Sequence, residues 1–218
     1  MPGGSAGGGR VRFHSRVGID ELSRAGRLVN RYRAVRHGQS KANASGIIVS
    51  GIERDRRGDF GLTELGQEQV LAAADGTSLP AGPLICSSGF ARARQTAEII
   101  RGRLAGPPVE VAAALGERFF GDLDGGPVSQ YARVWAADEA GAGLPAGVEP
   151  AAAVLARMAG FVAELERRWT GRDILLVSHG DPLQILQAGL LGLDPARHRT
   201  VPHLDTAEIR RLHLTHTG

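Results

Sequence analysis

The chain has 218 residues, 42% of them hydrophobic, which suits one sizeable domain with a real core. Its net charge of +3 is almost all arginine, no basic run exceeds two residues and aromatics make up only 5%, which excludes both a phosphate-tracking stripe and a base-stacking platform for nucleic acid. No apolar run reaches the roughly 18 residues that cross a bilayer, residues 1–10 lack a secretory signal's apolar stretch, and the single cysteine, Cys86, excludes an internal disulfide and points to a reducing, cytoplasmic setting.

In chain order, residues 1–25 are rich in glycine and read as a flexible extension, with a short helical turn expected over 20–27. Residues 26–218 read as one domain in which apolar strands alternate with longer amphipathic stretches, the pattern of a layered α/β fold. The first strand is expected over 30–35. A polar loop over 41–61 follows, long enough to be functional or mobile. Thr63 caps a helix over 64–74. A strand over 84–86 leads into a helix over 91–104, which stops before Gly106-Pro107-Pro108. Cys86 falls inside that strand and reads as a buried, inert thiol. A short strand at 109–111, a helix over 128–138 and a loop over 141–147 come next. Pro150 opens a long helix to 169, whose Val154, Met158, Phe161, Val162 and Leu165 recur at helical spacing. A strand over 173–178, a helix over 182–191 and a last strand over 207–214 complete the chain.

Three of these strands run into side chains able to handle phosphate: Arg36-His37-Gly38-Gln39-Ser40, Ser87-Ser88-Gly89-Phe90-Ala91-Arg92, and Ser178-His179-Gly180. In a parallel sheet the residues just past the carboxyl ends of strands gather along one edge, where ligands bind. A neutral imidazole is a competent nucleophile toward phosphorus. An adjacent arginine grips phosphate oxygens with a planar fork, and Gly38 lets backbone approach closely. Taken singly, Arg36-His37 is compatible with a surface turn and His179 with a hydrogen-bonded structural histidine; two His-Gly pairs after strands favour chemistry. Arg92, Arg94 and Arg101 share one helix, so at most one or two can face the sheet edge and the rest form a solvated face. Glu117 sits between apolar residues in Leu115-Gly116-Glu117-Arg118-Phe119-Phe120-Gly121. It reads either as an acid that keeps its proton near neutral pH or as an exposed carboxylate paired with Arg118. Asp122 and Asp181 are the next candidates for an acid.

Taken together and in order, the segments resemble the histidine phosphatase superfamily, which includes the cofactor-dependent phosphoglycerate mutases. The resemblance spans residues 31–214. It rests on Arg36-His37-Gly38-Gln39-Ser40-Lys41-Ala42-Asn43, on Asp59 with Leu62-Thr63, Gly66 and Gln69, on Ser87-Ser88 with Arg92-Ala93 and Thr96-Ala97, on the acid motif over 115–121, on Glu149 with Arg157, and on Val177-Ser178-His179-Gly180. It implies a three-layer α/β/α sandwich with a mostly parallel central sheet, in agreement with the strand and helix pattern. It also implies His37 as the nucleophile that becomes phosphohistidine, Arg36, Arg92 and His179 as binders of the phosphoryl oxygens with Asn43, Gln39 and Ser40 beside them, and Glu117 as general acid and then base. No cofactor and no metal are implied, because arginines and His179 supply the positive charge that Mg²⁺ supplies elsewhere.

The chain departs from the mutases in two respects. Gln39 stands where many members have Glu, and the stretch 122–149 holds one basic residue, Arg133, where mutases carry a basic cluster for phosphoglycerate. The expected function is therefore a cytoplasmic phosphomonoesterase for a small phosphorylated metabolite, with no nucleic-acid or membrane partner and a homodimer left open. A mutase-type phosphotransferase and a non-catalytic phospholigand-binding domain are the competing readings.

Overall fold

A computed structural model describes residue 22 and residues 28–55, 58–79 and 81–214. The extension expected over 1–25 and the turn over 20–27 lie outside these residues, apart from Leu22, which is helical and buried in the main core. Five strands form one sheet: β1 (Arg31–Arg36), β2 (Leu84–Ser87), β3 (Glu110–Val111), β4 (Asp173–Ser178) and β5 (Ile209–Arg211), in the order β3-β2-β4-β1-β5. The first four are parallel and β5 runs antiparallel to β1.

The central strand β4 is buried at all six positions, as its unbroken apolar run requires of a strand covered on both faces. Alternation along the strands divides the core into two layers. Ile174 and Leu176, with Tyr32, Ala34 and Cys86, pack under α6 (Ala151–Arg168) and α7 (Gly180–Leu190). Leu175 and Val177, with Val35 and Ile85, pack under α3 (Glu64–Asp75) and α4 (Ala91–Leu104). The expected helical stripe of α6 is borne out: Val154, Met158, Phe161, Val162 and Leu165 are all buried. Cys86 is buried, and desolvation pushes its thiol up to about 12, in keeping with an inert residue. Among the described residues no helix is long and apolar enough to cross a membrane.

The structure corrects the sequence reading in three places. The segment expected as one long loop over 41–61 holds two short helices, α1 (Lys41–Ser45) and α2 (Ile52–Asp55). Ser40 starts α1 by a reciprocal cap with Asn43, and Gly46, at φ 66°, ends it. The helix expected over 128–138 begins as a 3-10 turn, Val128–Gln130, before α5 (Tyr131–Ala140). The last strand shrinks from 207–214 to β5, because Ala207 adopts a left-handed φ of 63° just before it. A satellite core of Ile48, Phe120, Leu123, Val134 and Val148 ties the 46–50 segment to α5 and to the chain around 120 and 148.

Two glycines set how closely the loop after β1 lies on α3. A Cβ at Gly66 would overlap the Gln39 carbonyl oxygen, and one at Gly38 would overlap the Gly66 carbonyl oxygen. Backbone cannot yield as a flexible side chain can, so Gly66→Ala is expected to destabilise the protein by about 1–3 kcal/mol through overpacking. The midpoint of a urea melt would measure this, and activity should fall with it, because the displaced segment carries His37.

Candidate active site

The register Arg36↔Ser178 between β1 and β4 places His37 and His179 side by side, each one residue past a strand end. Their rings meet edge to face with centroids 5.2 Å apart. Backbone bonds fix the place: His37 N–H donates to Ser178 O at 3.1 Å, and Ala207 N–H donates to Arg36 O at 3.0 Å. Both imidazoles are buried. Burial first, and then the neighbouring guanidinium charge of Arg92, hold both well below the ordinary histidine range, so both are neutral at physiological pH.

Arg92 decides their tautomers. Its Nε–H is shared between His37 Nε2 at 3.1 Å and His179 Nδ1 at 3.2 Å. Both of those nitrogens must therefore be acceptors. The proton of His37 sits on Nδ1 and is donated to the Gly38 carbonyl at 2.7 Å, while His179 Nε2–H donates to Ser88 Oγ at 2.8 Å. Nε2 of His37 is left with its lone pair. Arg94 on the same helix is exposed, and Arg101 pairs with Glu98 at 2.6 Å, so Arg92 alone of the three turns inward. The N-terminus of α4 beside it is tied down from a distance, by Ala91 N–H donating to Asp55 Oδ2.

Arg92 Nη2 donates to Val49 O at 2.9 Å, and Arg36 Nη1 donates to Leu204 O at 2.8 Å and to His203 Nε2 at 2.6 Å. Arg92 Nη1 and Arg36 Nε are buried and have no partner among the described residues. An orphaned buried donor costs on the order of 1–3 kcal/mol, more when charged, and two such donors on arginines that line one cavity with His37 suit it to anionic oxygens.

Glu117 is one of the walls. Its Oε1 accepts from Arg118 N–H at 2.9 Å, and its Oε2 lies 3.6 Å from both Arg92 Nη2 and His179 Nδ1. Burial raises its carboxyl to about 7 against the pull of Arg92, helped by the negative charge of Asp181. The alternative pairing with Arg118 does not form. Arg118 is fully buried and grips Asp138 through two bonds of 2.7 and 2.9 Å, with Asp181 at 3.2 Å. Arg157 fastens the acid loop from α6, donating to Ala114 O, Gly116 O and Glu117 O at 2.6, 3.0 and 3.2 Å while pairing with Glu149 at 2.9 Å. Neither reserve acid is suited to the role. Asp122 is exposed. Asp181 accepts from Trp135 Nε1, His198 Nε2 and Arg118; burial alone would raise it, but His198 and Arg118 outweigh burial and hold it ionised.

These groups open onto a cavity of about 240 Å³ whose walls include Arg36, His37, Arg92, Glu117 and Asp181. His179, expected among the binders of the phosphoryl oxygens and as a source of positive charge, is neutral, fully buried and absent from the cavity wall, with its one N–H given to Ser88. Ser40 and Asn43 line the cavity as expected, but the Ser40 hydroxyl is committed to capping α1 and the Asn43 carbonyl oxygen accepts from Ser40, which leaves the Asn43 amide nitrogen as the donor. Gln39 does not line it: its Oε1 accepts from Thr63 Oγ1 at 2.8 Å, at the cap of α3. A larger hollow of about 510 Å³, lined by apolar groups including Ile52, Val111 and Phe119, lies on another side of Glu117 and contains neither histidine. The sequence reading missed Phe120, Tyr131, Trp135, Arg199 and His203, which complete the first cavity. Among the described residues no group of three or more His, Cys, Asp or Glu side chains is placed to hold a metal ion.

Comparison with known proteins identifies the family. A model of the histidine phosphatase superfamily (branch 1) matches residues 34–218. Glucosyl-3-phosphoglycerate phosphatase of Mycobacterium tuberculosis is 36% identical over 188 residues, covering 79% of this chain and 78% of that protein. The protein of the same name from Mycolicibacterium vanbaalenii is 33% identical over 178 residues, covering 76% of each. The native structure of mycobacterial glucosyl-3-phosphoglycerate phosphatase superposes with a TM-score of 0.68 at 32% identity, covering 83% of this chain and 88% of that one.

Because the Glu117 carboxyl sits at about 7, any step to which it gives a proton is expected to slow about tenfold per pH unit above neutrality, as that proton is lost. In Glu117→Gln this limb should vanish from the pH profile of kcat/KM. Stability should move in step. The folded state binds this proton more tightly than the unfolded chain, so the wild-type side chain loses stability as pH rises from about 4.5 through about 7. Glu117→Gln, which cannot ionise, should therefore gain on wild type by about 2–3 kcal/mol between pH 4 and pH 8 in denaturant melts.

Proposed function

The chain belongs to the histidine phosphatase superfamily, and on that premise we propose that it is a phosphomonoesterase, which passes the phosphoryl group of a small phosphorylated metabolite to His37 and from there to water. The observation that carries this reading is the pair of guanidinium donors without a partner among the described residues, Arg92 Nη1 and Arg36 Nε, on two arginines that line one cavity with His37. The names of the mycobacterial relatives support hydrolysis over phosphotransfer between metabolites.

The phosphoryl group occupies the position from which Arg92 Nε now reaches His37 Nε2, and Arg92, Arg36 and the Asn43 amide take its oxygens. The Nε2 lone pair forms the bond to phosphorus while the ester P–O bond breaks, and the Glu117 carboxylic acid gives its proton to the departing alkoxide. The Nδ1–H bond to the Gly38 carbonyl holds the tautomer and steadies the positive charge that gathers on the ring. In the second step the Glu117 carboxylate takes a proton from water as the water oxygen bonds to phosphorus and the P–Nε2 bond breaks. Phosphate leaves, and His37 and Glu117 return to their starting states. The positive charge throughout comes from side chains, so the reaction needs no resident metal. A single buried thiol fits our proposal of a cytoplasmic location.

Incubation with labelled substrate and an alkaline quench should trap phosphate on the wild-type protein. His37→Ala should trap none and should retain less than about a hundredth of the wild-type rate; a higher residual rate would remove His37 as nucleophile. Exhaustive chelation should leave activity intact, whereas a loss restored by a divalent cation would show that Arg36 and Arg92 do not supply the charge alone.

A further inference from the structure

The wall of the cavity beyond the phosphoryl groups is built by segments that none of the sequence motifs covers. Trp135 on α5 stacks on Tyr131 with an interplanar angle of 15°, and its Nε1–H donates to Asp181 Oδ1 at 2.8 Å. Over the other part of this wall lies Arg199, from the 3-10 segment Pro195–Thr200. Its guanidinium carbon is 3.8 Å from the Trp135 ring centroid, and its Nη1 donates to Gln184 Oε1 at 2.6 Å. Gln184 is itself buried and anchored by its amide to Val201 O. A stacked ring on one side and an amide on another therefore hold an exposed arginine in one pose at the cavity rim.

No carboxylate meets it. Among the described residues Arg199 makes no ion pair, and the nearby Asp181 is taken by Arg118, His198 and Trp135. Nε and Nη2, the edge of the guanidinium that grips a carboxylate or phosphate in bidentate fashion, have no bond among the described residues. His203 relates this cation to the phosphoryl site: it accepts from Arg36, and it is depressed first by burial and then by the charges of both Arg36 and Arg199. Arg199, His203 and Arg36 line the same cavity. The stretch 122–149, where the mutases carry their basic cluster, contributes aromatic wall here, and its one basic residue, Arg133, is exposed and does not line the cavity.

We propose that Arg199, backed by Trp135, is a specificity-determining residue that binds a second anionic group, carboxylate or phosphate, on the leaving group of the phosphomonoester. The proposal rests on the phosphatase reading and narrows it: esters of neutral alcohols lack the group that pairs this cation.

Two matched pairs of esters test it. 3-Phosphoglycerate and glycerol 3-phosphate differ in a carboxylate; fructose 1,6-bisphosphate and fructose 6-phosphate differ in a phosphate. The expected wild-type result is a kcat/KM ratio of about tenfold or more in favour of the more anionic member of at least one pair, the size of a charge-assisted hydrogen bond. The pair that shows the preference identifies the anion. In Arg199→Ala the ratio should collapse toward one; in Arg199→Lys, which keeps charge without the fork, part should survive. High salt should narrow the wild-type ratio. A ratio rather than a rate is read because loosening of Trp135 in the variant would slow both members of a pair alike. Calorimetric binding of the same four compounds to His37→Ala, with and without Arg199→Ala, separates this proposal from the reading beneath it. A wild-type protein that hydrolyses none of the four while this binding preference persists would sink the phosphatase reading and leave the anion subsite standing. Absence of any preference in the wild type, or the same preference in Arg199→Ala, would overturn the subsite.

Discussion

One buried N–H decides the state of the whole centre. Arg92 Nε lies between two imidazole nitrogens and gives each of them the same instruction, to remain unprotonated. From this follow the tautomer of each ring, the free lone pair at His37 Nε2 and the use of Ser88 as the acceptor behind His179. The arrangement is costly before a ligand arrives, because burial lowers the affinity of Arg92 for its own proton and Glu117, at 3.6 Å, is only partly ionised near neutrality. The site's own side chains carry more positive charge than they neutralise. On the proposed reading a phosphoryl group supplies the missing negative charge in a place already desolvated, where electrostatic interactions are strong.

The other arginines near the site show the contrast. Arg118 is as deeply buried as Arg92, yet its cation is met by Asp138 and Asp181. Arg157 is met by Glu149 and by three carbonyls of the acid loop. These two hold backbone and helices in place, and breaking either would leave a charge uncompensated inside the protein. Arg36 and Arg92 keep a donor in reserve. Compensation, more than burial, separates the arginines that support the fold from those that await a ligand.

Much of this was legible in the sequence, for identifiable reasons. The strands β2 and β4 announced themselves by apolar runs with no competing helical period, whereas three of the six residues of β1 are arginine; the His-Gly pairs after β1 and β4 were local in sequence, so their convergence needed only a parallel sheet. Glu117 could be picked out because apolar residues flank it. Other features depended on long-range contacts. The capping box that makes α1 out of a polar loop was present as Ser40 and Asn43, but those residues also fitted a phosphate site. Gln39 shared the motif with the site, yet its side chain was claimed by Thr63, 24 positions away. Tyr131 and Trp135 stood four residues apart at the start of a helix, a spacing that puts two aromatics on one face, and that signal could have been used. Arg199 and His203 carried none, because the segment after α7 folds back over the cavity only in three dimensions.

The sheet has short margins. On one side it ends in β3, two residues long, and on the other in β5, three residues long and carrying Arg210 and Arg211. Brief, charged border strands offer a neighbouring chain few free backbone groups to extend, which is how natural sheets avoid indefinite growth. Among the described residues, therefore, a second copy finds almost no ladder to continue. Among those residues, pairing of this chain with itself falls to helical faces and loops, and the edge of the sheet where His37 and His179 lie is not open to strand exchange.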